Sequence, residues 1–208
     1  MLTDTHPVIR RSHLELSMTY GQYSQLLDSL VQSHRTTGPD QSEFMVKYTE
    51  LNRQRMRKWD KIAVLDEGLR RKLGQVTKPM VWLVLTEAWC GDAAQNIPVI
   101  AKMAEANPAI SLRFLLRDEH LDIMDNYLTG GSRAIPELIA LDAGTLEELG
   151  TWGPRPAVVR AMATLHKNHP DGTTKEEFYE RIHAWYAHDK TRHVQQEFER
   201  LLGVWTER

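Results

Sequence analysis

Beyond residue 79 the chain alternates between two hydrophobic periods, and that alternation limits the possible folds more than any other feature. Met80–Leu85 is an unbroken apolar run, the mark of a strand buried on both faces. The stretch 92–106 has helical spacing and ends at Asn107-Pro108. Ile110, Leu112, Phe114 and Leu116 then alternate with less apolar neighbours and form a second strand. Strand, helix, strand in this order predicts parallel neighbours joined by a right-handed crossover. A short helix over 121–128 is stopped by Gly130-Gly131. Residues 136–141 read as a strand, Asp142-Ala143-Gly144 as a turn, and 146–152 as the returning strand of a hairpin. Gly153-Pro154-Arg155-Pro156 opens a helix through Leu165, with proline in its first turn.

The flanks are helical. Residues 1–18 read as irregular. Thr19-Tyr20-Gly21-Gln22 has capping-box form, and Tyr20, Tyr23, Leu26, Leu27, Leu30 and Val31 follow at helical spacing. After a break at Thr37-Gly38-Pro39-Asp40, a second helix carries Phe44, Tyr48, Leu51 and Arg55 on one stripe, with Met45, Asn52, Met56 and Trp59 beside it. Asp66 caps a short third helix through Leu69 and Leu73. A break at 168–172 precedes one long polar helix, about 174–202, with Phe178, Ile182, Trp185, Phe198 and Leu201 as its buried stripe. The reading is therefore a helical extension over 1–77, an α/β core over 78–167 and a C-terminal helix over 168–208. Repeats and low-complexity tracts are lacking.

A chain of 208 residues with 41% hydrophobic content supports one sizeable core. Its net charge of -2 gives no global field for nucleic acid or a membrane surface. Residues 1–78 hold 13 Lys+Arg against 9 Asp+Glu, and the remainder 13 against 19, which points to an acidic face around the α/β part. The basic run Arg53, Arg55, Arg57, Lys58 and Lys61 lacks the interleaved aromatic platform of single-strand binding, so it reads as a solvated or interdomain face. His183, His188 and His193 are five apart, about 140° of helix rotation at each step, and do not converge on a metal. Neither metal nor cofactor is expected. The start of the chain, Met1 to Arg11, has no apolar leader core, and no window approaches the roughly 18 apolar residues of a membrane span.

Cys90 is the single cysteine. It excludes an intramolecular disulfide and a cysteine-based zinc cage, and a free thiol fits a reducing, cytoplasmic setting. It lies in Thr86-Glu87-Ala88-Trp89-Cys90-Gly91-Asp92-Ala93, between a strand end and a helix start. There the helix dipole favours the thiolate. That effect lowers a thiol pKa by about one unit from about 8.5, while Asp92 opposes it by like-charge repulsion. The expectation is a modest net reduction. The alternative is a small buried hydrophobe.

These residues resemble the thioredoxin superfamily, whose W-C-G-P-C motif opens the helix after the central strand. Here the motif is Trp89-Cys90-Gly91-Asp92-Ala93, and Pro98 stands eight positions after Cys90, where the family kinks that helix. Arg133-Ala134-Ile135-Pro136 matches the family's cis-proline element. The segment 87–95, with Arg117-Asp118-Glu119, is also similar to a bacterial thioredoxin-like subgroup. The resemblance spans about 78–165 and implies a thioredoxin-like fold, a central mixed sheet flanked by helices. It departs at Ala93, where the family has its second cysteine. A dithiol enzyme attacks with one sulfur and resolves with the other, so only the first half of that cycle is implied.

The resemblance also implies a site. Cys90 is its nucleophile, and Trp89, Gly91, Asp92, Ile135 and Pro136 bind substrate, with the backbone of Ile135 turned to an extended chain. Asp92 reads either as a first-turn acid or as a proton acceptor beside the sulfur. Glu87 relays protons or is solvated. Arg133 meets an anionic ligand, a neighbouring acid or solvent, and Trp89 covers the thiol or packs in the core. Two functions follow. One is a monothiol redox protein that forms mixed disulfides with a protein or low-molecular-weight thiol, resolved by an external thiol. The other is a redox-inactive binding or scaffold module whose added helices form a dimer or docking surface. A shared iron–sulfur cluster, as in monothiol glutaredoxins, is disfavoured because their C-G-F-S is here C-G-D-A.

Overall fold

The computed structural model describes residues 8–169 and 172–207. Its centre is a four-stranded sheet of order β2-β1-β3-β4, built from β1 (Met80–Thr86), β2 (Ile110–Leu116), β3 (Glu137–Asp142) and β4 (Glu148–Trp152). β1 and β2 are parallel, Met80 facing Ile110 through Thr86 facing Leu116. β3 runs antiparallel to β1, and β4 antiparallel to β3. Every residue of β1 is buried, as its unbroken apolar run requires. The mixed sheet agrees with the thioredoxin-like expectation.

Five helices precede or bridge the first two strands: α1 (Arg11–Leu16), α2 (Tyr20–Gln32), α3 (Glu43–Ile62), α4 (Glu67–Gly74) and α5 (Gly91–Glu105). α1 falls where the sequence reads as irregular. Its six residues are too few to show a period. The capping box at Thr19 and Gln22 forms as expected. α3 buries Thr49, Asn52, Arg53, Met56 and Trp59, and leaves Phe44 and Leu51 exposed. The expected Phe44–Tyr48–Leu51 stripe is therefore not the core face. Asp66 occupies the N-cap of α4 without a capping hydrogen bond. Trp82, Val84 and the β2 partner of Val84, Phe114, share one face of the sheet. There Phe114 stacks on Tyr23 of α2, with ring centroids 5.2 Å apart.

After β2 come a 3-10 turn at Arg117–Glu119 and α6 (Leu121–Met124), shorter than expected. α7 (Ala157–Asn168) follows β4. The long terminal helix is in fact two, α8 (Lys175–Asp189) and α9 (Arg192–Trp205). They are separated by Lys190 and Thr191, both left-handed at φ 51° and 69°. Neither glycine nor proline announces that break. Part of the expected break at 168–172, Pro170 and Asp171, lies outside the described residues. α9 packs on α4 and β4, where Trp82, Trp152, Phe198 and Trp205 form an aromatic cluster. α8 belongs to a smaller cluster with α7, through Val159, Phe178, Ile182 and Tyr186. Among the described residues no helix is long and apolar enough to cross a membrane.

Candidate functional site

Cys90 is the N-cap of α5, as its address predicts. Its sulfur accepts from the Ala93 N–H at 3.4 Å, and its S–H donates to the Ile135 carbonyl at 3.2 Å. The Ile135–Pro136 peptide is cis, as is Gly153–Pro154. The structure thus brings Cys90 and the proline loop into direct contact. Trp89 and Gly91 flank the sulfur. Ile135 and Pro136 are buried beneath it.

The expected lowering of the thiol pKa does not occur. Cys90 is 7% exposed, and burial pushes its pKa up to about 12, with Asp92 adding to the rise. The Ala93 N–H and Arg155 pull the other way and do not offset it. Desolvation acts over the whole sulfur, whereas the dipole contribution is at most about 2 kcal/mol. The resting sulfur is a protonated thiol.

Asp92 is more than a first-turn acid, because both its carboxylate oxygens have partners. Arg155 Nη2 lies 2.6 Å from Oδ2, and the Tyr186 hydroxyl donates to Oδ1 at 2.8 Å. Burial raises its pKa, with Arg155 and Tyr186 opposing. Tyr186 also accepts from Asn96 Nδ2 at 3.0 Å. Helix α8 is in this way fastened to the first turn of α5. Glu87 is 1% exposed rather than solvated. Its Oε1 accepts from the Asp118 N–H at 2.9 Å, and burial raises its pKa. Arg133 pairs with Asp125 at 2.6 Å. Trp89 lies under the Arg117 guanidinium, 4.8 Å from it.

A cavity of about 350 Å³ opens over the sulfur. Its floor is Trp89, Cys90, Gly91, Asp92 and Ile135. Phe44, Met45 and Tyr48 of α3 form one wall, and Tyr179, Ile182 and His183 of α8 another. The face around the thiol is not acidic: Arg117, Arg133, Arg155 and Lys175 line it against Asp92 and Glu176. Net charge summed along a segment does not say which side chains the fold gathers.

His183 is the residue that sequence reasoning missed. Trp59 Nε1–H donates to Gln95 Oε1 at 2.6 Å, so the Gln95 amide nitrogen faces His183 Nδ1 at 3.1 Å. That nitrogen only donates. Nδ1 therefore accepts, and the ring proton sits on Nε2. Burial, with Arg55 adding, pushes the His183 pKa down to about 4, so the ring is neutral near pH 7. Its Nε2 lies 3.2 Å from where a Gly91 Cβ would stand. Glycine next to the thiol leaves room for this imidazole. Among the described residues no group of three His, Cys, Asp or Glu side chains could hold a metal ion.

The family model described as Thioredoxin matches residues 38–170. The chain belongs to the thioredoxin family. The match begins well ahead of β1 and takes in α3 and α4, so helices beyond the expected 78–165 share the likeness. A protein of unknown function from Pseudomonas aeruginosa is similar in structure, with TM-score 0.56 and 18% identity, over 89% of this chain and 98% of that one. An HIV epitope-scaffold is similar at TM-score 0.54 and 17% identity, over the same shares. Both likenesses concern the fold alone. None of the curated proteins matches.

Proposed function

We propose that this thioredoxin-family protein is a monothiol exchange protein, in which Cys90 forms a mixed disulfide with a small thiol compound admitted to the cavity. The observation that carries the reading is the placement of the sulfur. It caps α5, touches the Ile135 carbonyl and lines a cavity of about 350 Å³. In the reaction, Cys90 loses its proton to solvent and attacks a disulfide R–S–S–R. A Cys90–S–S–R bond forms, the S–S bond of R–S–S–R breaks, and the leaving thiolate R–S⁻ takes up a proton. Ala93 cannot resolve the adduct. An external thiol attacks it, regenerating the Cys90 thiol and carrying R away as a new disulfide.

A second reading is a redox-inactive thioredoxin-fold module that binds the same ligand without covalent chemistry. It is favoured by the protonated resting thiol, its pKa about 12. Intact mass spectrometry of the native protein with 2-hydroxyethyl disulfide decides between them. The monothiol reading expects one adduct, absent in Cys90→Ser and removed by an added thiol. An adduct that forms only after unfolding sinks it and leaves the binding module.

A further inference from the structure

Cations around the cavity outnumber the acids that neutralise them. Arg117 and Arg133 each hold an acid, Asp118 at 2.7 Å and Asp125 at 2.6 Å. Arg155 meets Asp92 through Nη2, and its buried Nε has no acceptor. Arg55 differs from all three. It donates to the side-chain oxygen of Asn52 at 2.8 Å and meets no carboxylate among the described residues. Burial lowers its pKa, so the guanidinium is half-desolvated with no counter-charge, a costly state unless an anion joins it. Its Nη1 lies 3.9 Å from the site of a Gly91 Cβ, the same point that His183 Nε2 approaches to 3.2 Å. Two donors, one charged and one with its proton fixed by the Trp59–Gln95 chain, thus converge on Gly91, the residue after Cys90, with His183 in the cavity lining and Arg55 just outside it. The facing negative groups are Asp92, already paired, and the exposed Glu176 at the rim.

We infer that Arg55 and the His183 Nε2–H form an anion subsite next to Cys90, and that the compound admitted is a small thiol or disulfide bearing a carboxylate. The inference rests on the cavity over Cys90 being the working site. It does not require the covalent step. The volume suits a small molecule. The apolar side chains of Phe44, Tyr48 and Ile182 offer contact to its carbon frame, and the cations hold its charged end.

Three disulfides of like reach test it: 3,3'-dithiodipropionate (anionic), 2-hydroxyethyl disulfide (neutral) and cystamine (cationic). They are titrated into Cys90→Ser, which cannot form an adduct, while the backbone amide resonances of Gly91 and Asp92 are followed by NMR. The dianion should saturate the shifts at a concentration roughly tenfold below the neutral compound, the effect of one charge-assisted hydrogen bond. Cystamine should bind most weakly. Arg55→Gln in the same background should erase the preference, and His183→Gln should reduce it. Equal saturation by all three compounds overturns the inference. So does a preference that survives Arg55→Gln, or one that His183→Gln leaves undiminished where the arginine variant does not fold. Adduct formation by the wild-type protein reports on the monothiol reading separately, so either idea can fail without the other.

Discussion

Arg155, in the loop after β4, places its Nη2 2.6 Å from Oδ2 of Asp92 on the first turn of α5. One ion pair therefore governs two properties at once. It holds the far end of the sheet against the thiol helix, and it partly neutralises the negative charge that disfavours a Cys90 thiolate.

Asp92→Asn removes that charge and leaves Arg155 beside the sulfur without its acid. Iodoacetamide alkylation of Cys90 at fixed pH should rise about threefold or more. Stability should fall by about 1–3 kcal/mol in chemical denaturation, since a largely buried pair is broken and Tyr186 loses an ionised acceptor. An unchanged alkylation rate would show that burial alone controls the thiol.

His183 should be neutral with its proton on Nε2. Long-range 1H–15N spectra should show one protonated ring nitrogen and a titration midpoint near 4. The folded pKa lies below the unfolded value, so the unfolded chain binds more protons as pH falls from about 6.5 to 4, and stability is lost across that window. In Gln95→Leu the Nδ1 partner disappears, and both tautomers should be seen.

Glu137 on β3 is buried, which pushes its pKa up to about 7, against the pull of Arg160. The native state then holds a proton that the unfolded state has released between about 4.5 and 7. Stability falls as pH rises through that window. Glu137→Gln should remove this slope and make the protein more stable than wild type at pH 8, by about 1–3 kcal/mol in denaturant titrations. A variant less stable than wild type at pH 8 would contradict it.

Lys190 sits exposed in the left-handed region at φ 51° between α8 and α9. Lys190→Gly relieves the Cβ penalty and should stabilise by about 0.5–1 kcal/mol, read as a higher Tm.

The sheet was legible because Met80–Leu85 is an unbroken apolar run and β2 carries apolar residues at alternate positions, although in the fold Leu115 is buried beside Phe114. Cys90 and Pro136 were legible through their motif. The split of the last helix was not, because Lys190 and Thr191 carry no turn signal, and α9 is drawn onto α4 and β4 by contacts distant in sequence. Arg55 lay in plain view inside a basic run. Its neighbours Arg53 and Arg57 both pair with Asp28, at 2.6 and 2.8 Å, and only that pairing sets Arg55 apart. The sequence offers His183 only as a metal ligand, and its actual partner, Gln95, is invisible until α5 and α8 are packed together. The Cys90 thiol departs from the expectation because a helix terminus shows in the sequence and the depth of burial does not.

The hydrogen-bond chain from Trp59 through Gln95 to His183 joins three helices drawn from opposite halves of the polypeptide. The chamber above the sulfur is consequently owned by no single part of the fold. Helix α5 supplies the sulfur, while α3 and α8, from the two ends of the chain, supply the walls above it. A chain with the same sheet and other flanking helices would keep the thiol's place and enclose a chamber of different shape and charge.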